Sequence, residues 1–283
     1  MNWRRHLLAL ASITYMTLNL LFWTPILLAL LPFKLLLPER WKAPLHRLLN
    51  AIYRCGVGVH DFWLRRVLRV RWPKPLKPGH PEHPCLVLCN HASWADALLV
   101  QSVMAHAGYT IVALSKRKLM YVPMLGLIFF MFDFPMLRRA KQNPKKAPPS
   151  SRVASDVERI RQTCAKVLNL PAAILDFAEG TRWSPQKHVQ SNSPFSNLLP
   201  PRIGGFSALC QALDTPGSFI ADITIVYPHP CSFWEFLAGT ARNIEIDLQS
   251  LPLPDLSRID AAAWLTERWH RKDELLNRRH TPS

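Results

Sequence analysis

Three polar residues, Asn90, His91 and Asp96, stand just after the apolar run CLVLC at 85–89. Such a run is typical of a buried strand, so His91 leaves the strand end and Asp96 falls in the opening turn of the next helix. An imidazole takes up a proton near neutral pH, and it works best when a carboxylate holds one ring nitrogen and fixes the tautomer. The spacing therefore predicts a general base that acts on a hydroxyl of the substrate, with Ser93 capping the helix.

A second polar cluster, EGTR at 179–182, follows the apolar run AAILDF. Gly180 permits close backbone approach, Thr181 offers a hydroxyl, and Arg182 can hold a phosphate through two parallel hydrogen bonds. Taken alone, this cluster is also compatible with a surface turn containing an ion pair, and the His–Asp pair with a purely structural contact.

The elements that position these clusters alternate between strand-like and helix-like patterns, which predicts an α/β fold. A helix is expected to begin at Ser155, which forms a capping-box pattern with Glu158, and a last helix to cover 258–279. The stretch 140–151 is expected to be an exposed loop. The strands are predicted at 67–72, 85–90, 110–115, 172–177, 221–227 and 243–248.

The N-terminal region differs from the rest, because residues 7–33 form a run of 27 without Asp, Glu, Lys or Arg. About 20 apolar residues cross a bilayer core and a secretory signal has an apolar stretch of about 7–15, so this segment is expected to be retained in lipid. A basic amphipathic helix follows it. The sequence is compatible with a helical hairpin in one leaflet and with a single spanning anchor. We assign residues 1–66 to a membrane-embedded helical region and 67–283 to the α/β domain.

A further apolar segment, 119–136, is either core or a surface that meets acyl chains or membrane. The chain has 35 Lys and Arg against 19 Asp and Glu, a net charge of +16 that favours anionic partners such as lipid headgroups, phosphorylated metabolites, an acidic carrier protein or nucleic acid. Its six cysteines lack C-x-x-C spacing, which indicates buried thiols in a reducing compartment. The H-x-x-H at 80–83 is flanked by prolines and is expected to be a loop rather than a metal site.

Together, NH-x4-D at 90–96, the later EGTR and an apolar strand ending in Pro228 resemble the glycerolipid acyltransferase family, the lysophosphatidic acid acyltransferases. The resemblance covers roughly residues 85–230, and the apolar N-terminus makes the chain similar to the YihG-type bacterial branch. It implies a single mixed-sheet acyltransferase domain flanked by helices. It also implies that His91 deprotonates the sn-2 hydroxyl of lysophosphatidic acid, that Asp96 stabilises the imidazolium, and that the hydroxyl attacks an acyl thioester to give phosphatidic acid.

The same resemblance implies the substrate contacts. Lys116, Arg139 and Arg182 are expected to converge on the acceptor phosphate, with Gly180 and Thr181 beside it, while Glu179 orients Arg182 or a glycerol hydroxyl. Two departures from the family pattern, Lys118 and the stretch DFPMLR before Arg139, are compatible with a different lysophospholipid or lyso-lipid acceptor.

The expected partners are a lysophospholipid, acyl-CoA or acyl carrier protein as the acyl donor, and membrane lipid. No metal, redox cofactor or nucleic acid is expected. The resemblance places the protein in the bacterial inner membrane with its active site on the cytoplasmic face. The alternative from another class is a membrane-anchored basic adaptor without catalysis, which would use the charge and the lysine loop at 145–146 to bind nucleic acid or an acidic protein.

Overall fold

The apolar runs of the sequence form a five-stranded mixed sheet. The computed structural model describes residues 2–72, 83–113, 115–116, 121, 123–134, 136–137, 158, 160, 164 and 172–280. The strands are β1 (Cys85–Cys89), β2 (Thr110–Ala113), β3 (Ser115–Lys116), β4 (Met136–Leu137), β5 (Ala172–Asp176), β6 (Phe219–Val226) and β7 (Glu245–Pro252). The strand order of the sheet is β2-β5-β1-β6-β7, in which the first four strands are parallel and β7 is antiparallel to β6. A separate parallel pair joins β3 to β4.

Helices cover both faces of this sheet, which is why its central strands are mainly apolar and buried. The helices of the domain are α3 (Ala95–His106), α4 (Pro123–Met131), α5 (Pro185–Ser191), α6 (Ile203–Ala212), α7 (Phe233–Leu237) and α8 (Ala261–His280). On one face, Val87 of β1 shares an apolar cluster with Leu99 of α3. On the other face, Leu86 packs in a cluster with Phe206 of α6 and Trp269 of α8. These two layers confirm the predicted α/β fold.

The N-terminal region is a hairpin of two long helices, α1 (Trp3–Leu36) and α2 (Glu39–Phe62). Asn19 of α1 donates from Nδ2 to the carbonyl of Gly56 at 2.9 Å and accepts from the Trp23 indole at 3.0 Å, so the buried polar side chain is satisfied. Gly56 also lets the helices approach, since a Cβ there would lie 3.2 Å from the Trp23 indole nitrogen. Among the described helices, α1 alone is long and apolar enough to cross a membrane.

The hairpin also packs on the sheet domain. Ala9 and Met16 belong to the same apolar cluster as the strand residue Val87. Ser12 donates from Oγ to the carbonyl of Leu237 at 2.9 Å. The hairpin and the sheet therefore share one core. The assigned boundary between residues 66 and 67 falls inside a short π-helical segment, Trp63–Val67, and stays a prediction.

Some predicted elements differ from the structure. The strand expected at 67–72 is wrong, because Arg69 adopts a left-handed conformation (φ 55) and leaves only a single bridge between Arg71 and Asn243. The apolar segment at 119–136 contains α4, and its Met131 and Phe132 are buried against the hairpin, whereas Tyr121 is 78% exposed. The expected loop at 140–151 and the cap at Ser155 lie outside the described residues.

Candidate active site

The polar cluster after β1 is built on the junction between two neighbouring strands. Asn90, which is 2% exposed, donates from Nδ2 to the Ile225 carbonyl at 3.0 Å and accepts from the Ile225 amide at 2.8 Å. Its side-chain amide thus takes the place of a backbone pair and keeps the end of β1 beside β6. The next residue, His91, is the first to leave the sheet.

His91 and Asp96 are in direct contact, with Nδ1 and Oδ2 separated by 2.9 Å. The same Oδ2 accepts from the backbone amides of Ala92 at 2.7 Å and Ser93 at 2.8 Å, and Oδ1 accepts from the Tyr227 hydroxyl at 2.6 Å. Asp96 is completely buried, and these donors satisfy its charge. Burial and the neighbouring Asp96 raise the pKa of Tyr227 well above its usual value, so the phenol keeps the proton that it donates.

The ring of His91 is held by an aromatic neighbour. Phe177, directly after β5, stacks on the imidazole with a centroid separation of 3.9 Å and an interplanar angle of 13°. The His91 side chain is 13% exposed, and its Nε2 has no hydrogen-bond partner among the residues that the structure describes. This nitrogen is therefore the one available to a substrate proton.

Glu179 holds the backbone of the same histidine. Its Oε1 accepts from the His91 amide at 2.9 Å, and its Oε2 accepts from the Leu199 amide at 3.1 Å. Burial raises the pKa of Glu179 to about 8, although these two hydrogen bonds oppose the shift. The expected partner was Arg182 or a glycerol hydroxyl, whereas both carboxylate oxygens here contact backbone amides.

The remaining EGTR residues form a basic turn beside the His–Asp pair. Gly180 has φ +68, and the Arg202 side chain lies so close that a Cβ at Gly180 would be 2.5 Å from its Nε. Lys187 donates from Nζ to the Thr181 hydroxyl at 2.7 Å and to the Arg182 carbonyl at 2.9 Å. Three cationic side chains therefore belong to this turn or contact it.

Two further contacts join this turn to the segment that contains His91. The Arg182 guanidinium lies over the Trp94 ring, 4.7 Å from its centroid. The Trp183 amide donates to the His91 carbonyl at 2.7 Å. The structure thus brings His91, Asp96 and residues 179–182 together, from two strand ends that are far apart in sequence.

The two other predicted phosphate ligands are placed less completely. Lys116 lies on β3, where its backbone pairs with Leu137 of β4. Arg139 lies outside the described residues. Their roles stay predictions.

Several residues of the site were missed by the sequence analysis. Tyr227, Phe177 and Trp94 lie next to strand ends or at a helix start, and Arg202 precedes α6. Tyr227 stands in the apolar stretch before Pro228 that is part of the resemblance, but short motifs do not indicate which side chains meet in space.

A cavity of about 370 Å³ lies beside the pair, at the carboxyl ends of β1 and β6. Its walls include Ala92, Trp183, Tyr227 and Cys231. Within the described part of the chain, no group of three or more His, Cys, Asp or Glu side chains is arranged to hold a metal ion.

The site thus combines a His–Asp pair at a strand end of a mixed sheet with a basic turn. Residues 68–232, more than half of the chain, match the family model described as Acyltransferase, and the chain belongs to that family.

Individual relatives are more distant. The chain is 26% identical over 214 residues to a probable 1-acyl-sn-glycerol-3-phosphate acyltransferase 5 of Arabidopsis thaliana, covering 69% of this chain and 54% of the relative. It is 24% identical over 203 residues to the human 1-acyl-sn-glycerol-3-phosphate acyltransferase delta, covering 66% of this chain and 51% of the relative. The matches thus span about half the length of these two proteins.

The fold is similar to a solved structure. The crystal structure of the 1-acyl-sn-glycerophosphate (LPA) acyltransferase PlsC from Thermotoga maritima superposes with a TM-score of 0.58 at 14% identity, covering 96% of this chain and 97% of that one. At this identity the similarity establishes the fold, which includes the N-terminal hairpin.

Proposed function

We propose that this acyltransferase moves a fatty acyl group from an acyl thioester, carried by coenzyme A or acyl carrier protein, to the sn-2 hydroxyl of lysophosphatidic acid, giving phosphatidic acid. The observation that carries the proposal is the contact between His91 and the buried Asp96, 2.9 Å apart, with Nε2 left for a substrate. The choice of acceptor is supported by two relatives, a probable 1-acyl-sn-glycerol-3-phosphate acyltransferase of Arabidopsis thaliana and the human 1-acyl-sn-glycerol-3-phosphate acyltransferase delta.

In this mechanism His91 is the general base and Asp96 orients it. The His91 Nε2 takes the proton of the acceptor hydroxyl, whose oxygen attacks the thioester carbon. The C–S bond then breaks, and the thiolate receives the proton from the imidazolium. Because an ordinary thiol has a pKa of about 8.5, the leaving group needs little assistance, and one base suffices. Asp96 accepts from Nδ1 throughout and stabilises the imidazolium.

The basic turn supplies the acceptor site. Arg182 is placed over Trp94 with its guanidinium exposed, and Lys187 and Arg202 add positive charge around the same turn. A planar guanidinium suits a phosphate monoester. Lys116 and Arg139 are further proposed ligands of this phosphate.

The hairpin places the site at a lipid surface. A helix as long as α1 measures about 50 Å at 1.5 Å per residue, more than a bilayer core of about 30 Å. Yet Ala9, Ser12 and Met16 pack on the sheet domain. This packing supports a hairpin that lies in one leaflet rather than a single anchor that spans the bilayer. We place the protein in the bacterial inner membrane, with the site on the cytoplasmic face, and in the YihG-type branch of the family.

Thiol release provides the test. Detergent-purified protein is given palmitoyl-CoA or palmitoyl acyl carrier protein, with and without lysophosphatidic acid, and His91→Ala is compared with the wild type. Loss of a general base is expected to lower acceptor-dependent release by about 100- to 10,000-fold. The matched control is His106→Ala, which removes an exposed imidazole at the far end of α3 and should leave the rate unchanged.

A different acceptor is the second candidate, favoured by the departures Lys118 and DFPMLR in the block before Arg139. Release that depends on another lysophospholipid, and not on lysophosphatidic acid, would retain the chemistry and change the substrate. A folded wild type that releases no thiol with any lysophospholipid would contradict the proposed function.

A further inference from the structure

A buried lysine of the last helix reaches the strand end that carries the proposed base. Lys272 of α8 is 2% exposed, and its Nζ donates to the Ile223 carbonyl of β6 at 2.6 Å. The same Nζ lies 3.5 Å from the Leu88 carbonyl of β1. The pairing between these two strands ends at Cys89 and Ile223. Lys272 therefore contacts the last rung of this ladder, and His91 follows Cys89 by two positions.

Buried acidic side chains lie around the same strand end. Asp96, Glu179 and Asp222 are all buried. Burial raises the pKa of the thiol that ends β1, and the charges of these three carboxylates raise it further. Desolvation disfavours a buried carboxylate unless a charge or hydrogen bonds compensate for it. Of the Lys and Arg side chains that the structure describes, only Arg268 and Lys272 are buried, so α8 supplies both of the buried cations.

These two cations have different partners. Arg268 donates from Nε to Asp222 at 2.7 Å and from Nη2 to the Gln249 side chain of the edge strand β7 at 2.8 Å. Lys272 lies 2.5 Å from the same Asp222 but also reaches the strand end. Burial raises the pKa of Glu179 to about 8, and two backbone amides and the charge of Lys272 oppose that rise. Lys272 thus connects the ion pairs of α8 with the carboxylate beside the base.

The other groups around Glu179 do not replace this cation. Asp96, from α3, adds to the effect of burial and raises the pKa of Glu179. Cys89 of β1 is neutral, because burial raises its pKa well above the usual value. Arg202, before α6, lies over the neighbouring glycine but is exposed, so water and salt screen its charge.

We propose that Lys272 is a positioning residue for the acyl transfer, because its charge lets Glu179 remain a carboxylate and so hold the His91 backbone. This inference rests on the proposed function, since it assigns a role in that reaction. Both Glu179 oxygens accept from a backbone amide, whereas protonation would turn one of them into a donor. Without the cation Glu179 takes up a proton, one amide loses its partner, and the base is held less firmly. Lys272 lies beyond residues 68–232, which match the family.

Infrared titration tests the action on Glu179 without an acyl-transfer assay. The carbonyl stretch of the protonated carboxyl is assigned by subtracting the spectrum of Glu179→Gln and is followed with pH in the wild type and in Lys272→Met. This band should persist to a pH about one unit higher in the variant, because loss of a nearby cation raises the pKa of a carboxyl. Lys272→Gln, a neutral side chain that can still donate a hydrogen bond, should titrate like Lys272→Met.

Arg268→Met is the matched control. It also removes a buried cation from Asp222, so it should lower the Tm to a similar extent as Lys272→Met. Because Arg268 extends toward β7 rather than toward the strand end, the titration of Glu179 should stay as in the wild type.

The pH–rate profile is the kinetic counterpart. The kcat of thiol release by Lys272→Met should be about tenfold lower at pH 7, since one pH unit changes the ionised fraction tenfold below the pKa, and it should recover as the pH rises. Both substrate KM values should stay the same, and Arg268→Met should keep the wild-type profile. In a Glu179→Gln background, Lys272→Met should cause no further loss of kcat, because it acts through Glu179.

Two results would overturn the proposal and leave the proposed function intact. One is the same titration of Glu179 in the wild type and in both Lys272 variants. The other is a loss of kcat in Lys272→Met that does not recover at high pH, with a Tm lowered as in Arg268→Met, which would mark a purely structural role. A wild type that transfers no acyl group to any acceptor, with Glu179 titrating as expected, would instead refute the proposed function.

Discussion

At the scale of single residues, Asp96 accepts four hydrogen bonds, from the His91 ring, two backbone amides and the Tyr227 hydroxyl. These bonds divide its negative charge between its two oxygens. The His91 ring is further fixed by Phe177, and its backbone by Glu179 and Trp183. The proposed base is therefore held in a fixed position, and each residue that holds it is expected to affect the reaction in a different measurable way.

Tyr227→Phe tests how Asp96 is held. Without the hydroxyl, Asp96 Oδ1 loses its donor in a buried site, at a cost of about 1–3 kcal/mol, and the carboxylate holds the imidazole less firmly. The kcat of thiol release is expected to fall about tenfold while both substrate KM values stay the same. Tyr121→Phe, at a residue that is 78% exposed, is the control. An unchanged kcat in folded Tyr227→Phe would contradict this role of Tyr227.

Glu179→Gln separates positioning from acceptor binding. An amide can accept from only one of the two backbone amides, which leaves the other unpaired at a cost of about 1–3 kcal/mol. We expect kcat to fall about tenfold or more while the acceptor KM stays constant. Arg182→Ala should show the opposite pattern, a raised acceptor KM with a smaller change in kcat. If Glu179→Gln instead raised the acceptor KM, the wild-type Glu179 carboxylate would contact the acceptor, as predicted from the sequence.

At the scale of secondary-structure elements, two acidic side chains of the central strands face the helices that cover the sheet. Asp222 of β6 is buried against two cations of α8: Arg268 donates from Nε at 2.7 Å, and Lys272 lies 2.5 Å away. Lys272 also donates to the Ile223 carbonyl at 2.6 Å. Asp176 of β5 faces the same layer, but its Oδ2 is buried without a hydrogen-bond partner among the described residues.

Asp176→Asn is expected to change the pH dependence of stability. Burial raises the pKa of Asp176 to about 7, above its unfolded value of 3.8, so the folded state binds the proton more tightly. The resulting stability is present at low pH and is lost as the pH rises through about 7. Between pH 5.5 and 8.5, the free energy of unfolding should fall by about 1–2 kcal/mol more in the wild type than in Asp176→Asn, as measured by thermal unfolding at the two pH values. Equal losses would mean that Asp176 does not titrate in this range.

The central elements and the His91–Asp96 contact could be predicted because they are local. Strands β1, β5 and β6 are buried on both faces and read as mainly apolar runs, and Asp96 follows the histidine by five positions. Tyr227 could not be predicted, since its contact with Asp96 joins residues 131 positions apart. The strand at 67–72 failed because its alternating pattern carries no sign of the left-handed Arg69.

At the scale of the whole molecule, one surface is unusually apolar. Leu7, Leu18, Phe22 and Leu28 of α1 are each more than 50% exposed, although the opposite side of the helix packs on the protein. A contiguous exposed apolar surface marks a contact with lipid or protein. The proposed function acts on lipids, so lipid is the contact that we expect.

Replacing Leu7, Leu18 and Leu28 together by Gln should weaken vesicle binding without unfolding the protein. Each buried leucine contributes about 1.5–3 kcal/mol to transfer from water, so a partition coefficient at least tenfold lower is expected in flotation assays. The Tm in detergent and the turnover of detergent-dispersed substrate should be retained. Val189→Gln, at an exposed residue of the domain, is the control, and unaltered flotation of the triple variant would exclude this face as the lipid contact.

The hydrogen bond from Ser12 to Leu237 joins residues 225 positions apart, so the hairpin is made long before its partner in the sheet domain. At roughly 5–20 residues per second, about 10–45 s pass between the synthesis of α1 and the synthesis of that surface. During this interval its apolar sides need another environment, which a bilayer supplies. With α1 held by a bilayer as proposed, the last contacts of the core would form on a chain that is already attached, and the sheet domain would fold at the membrane surface.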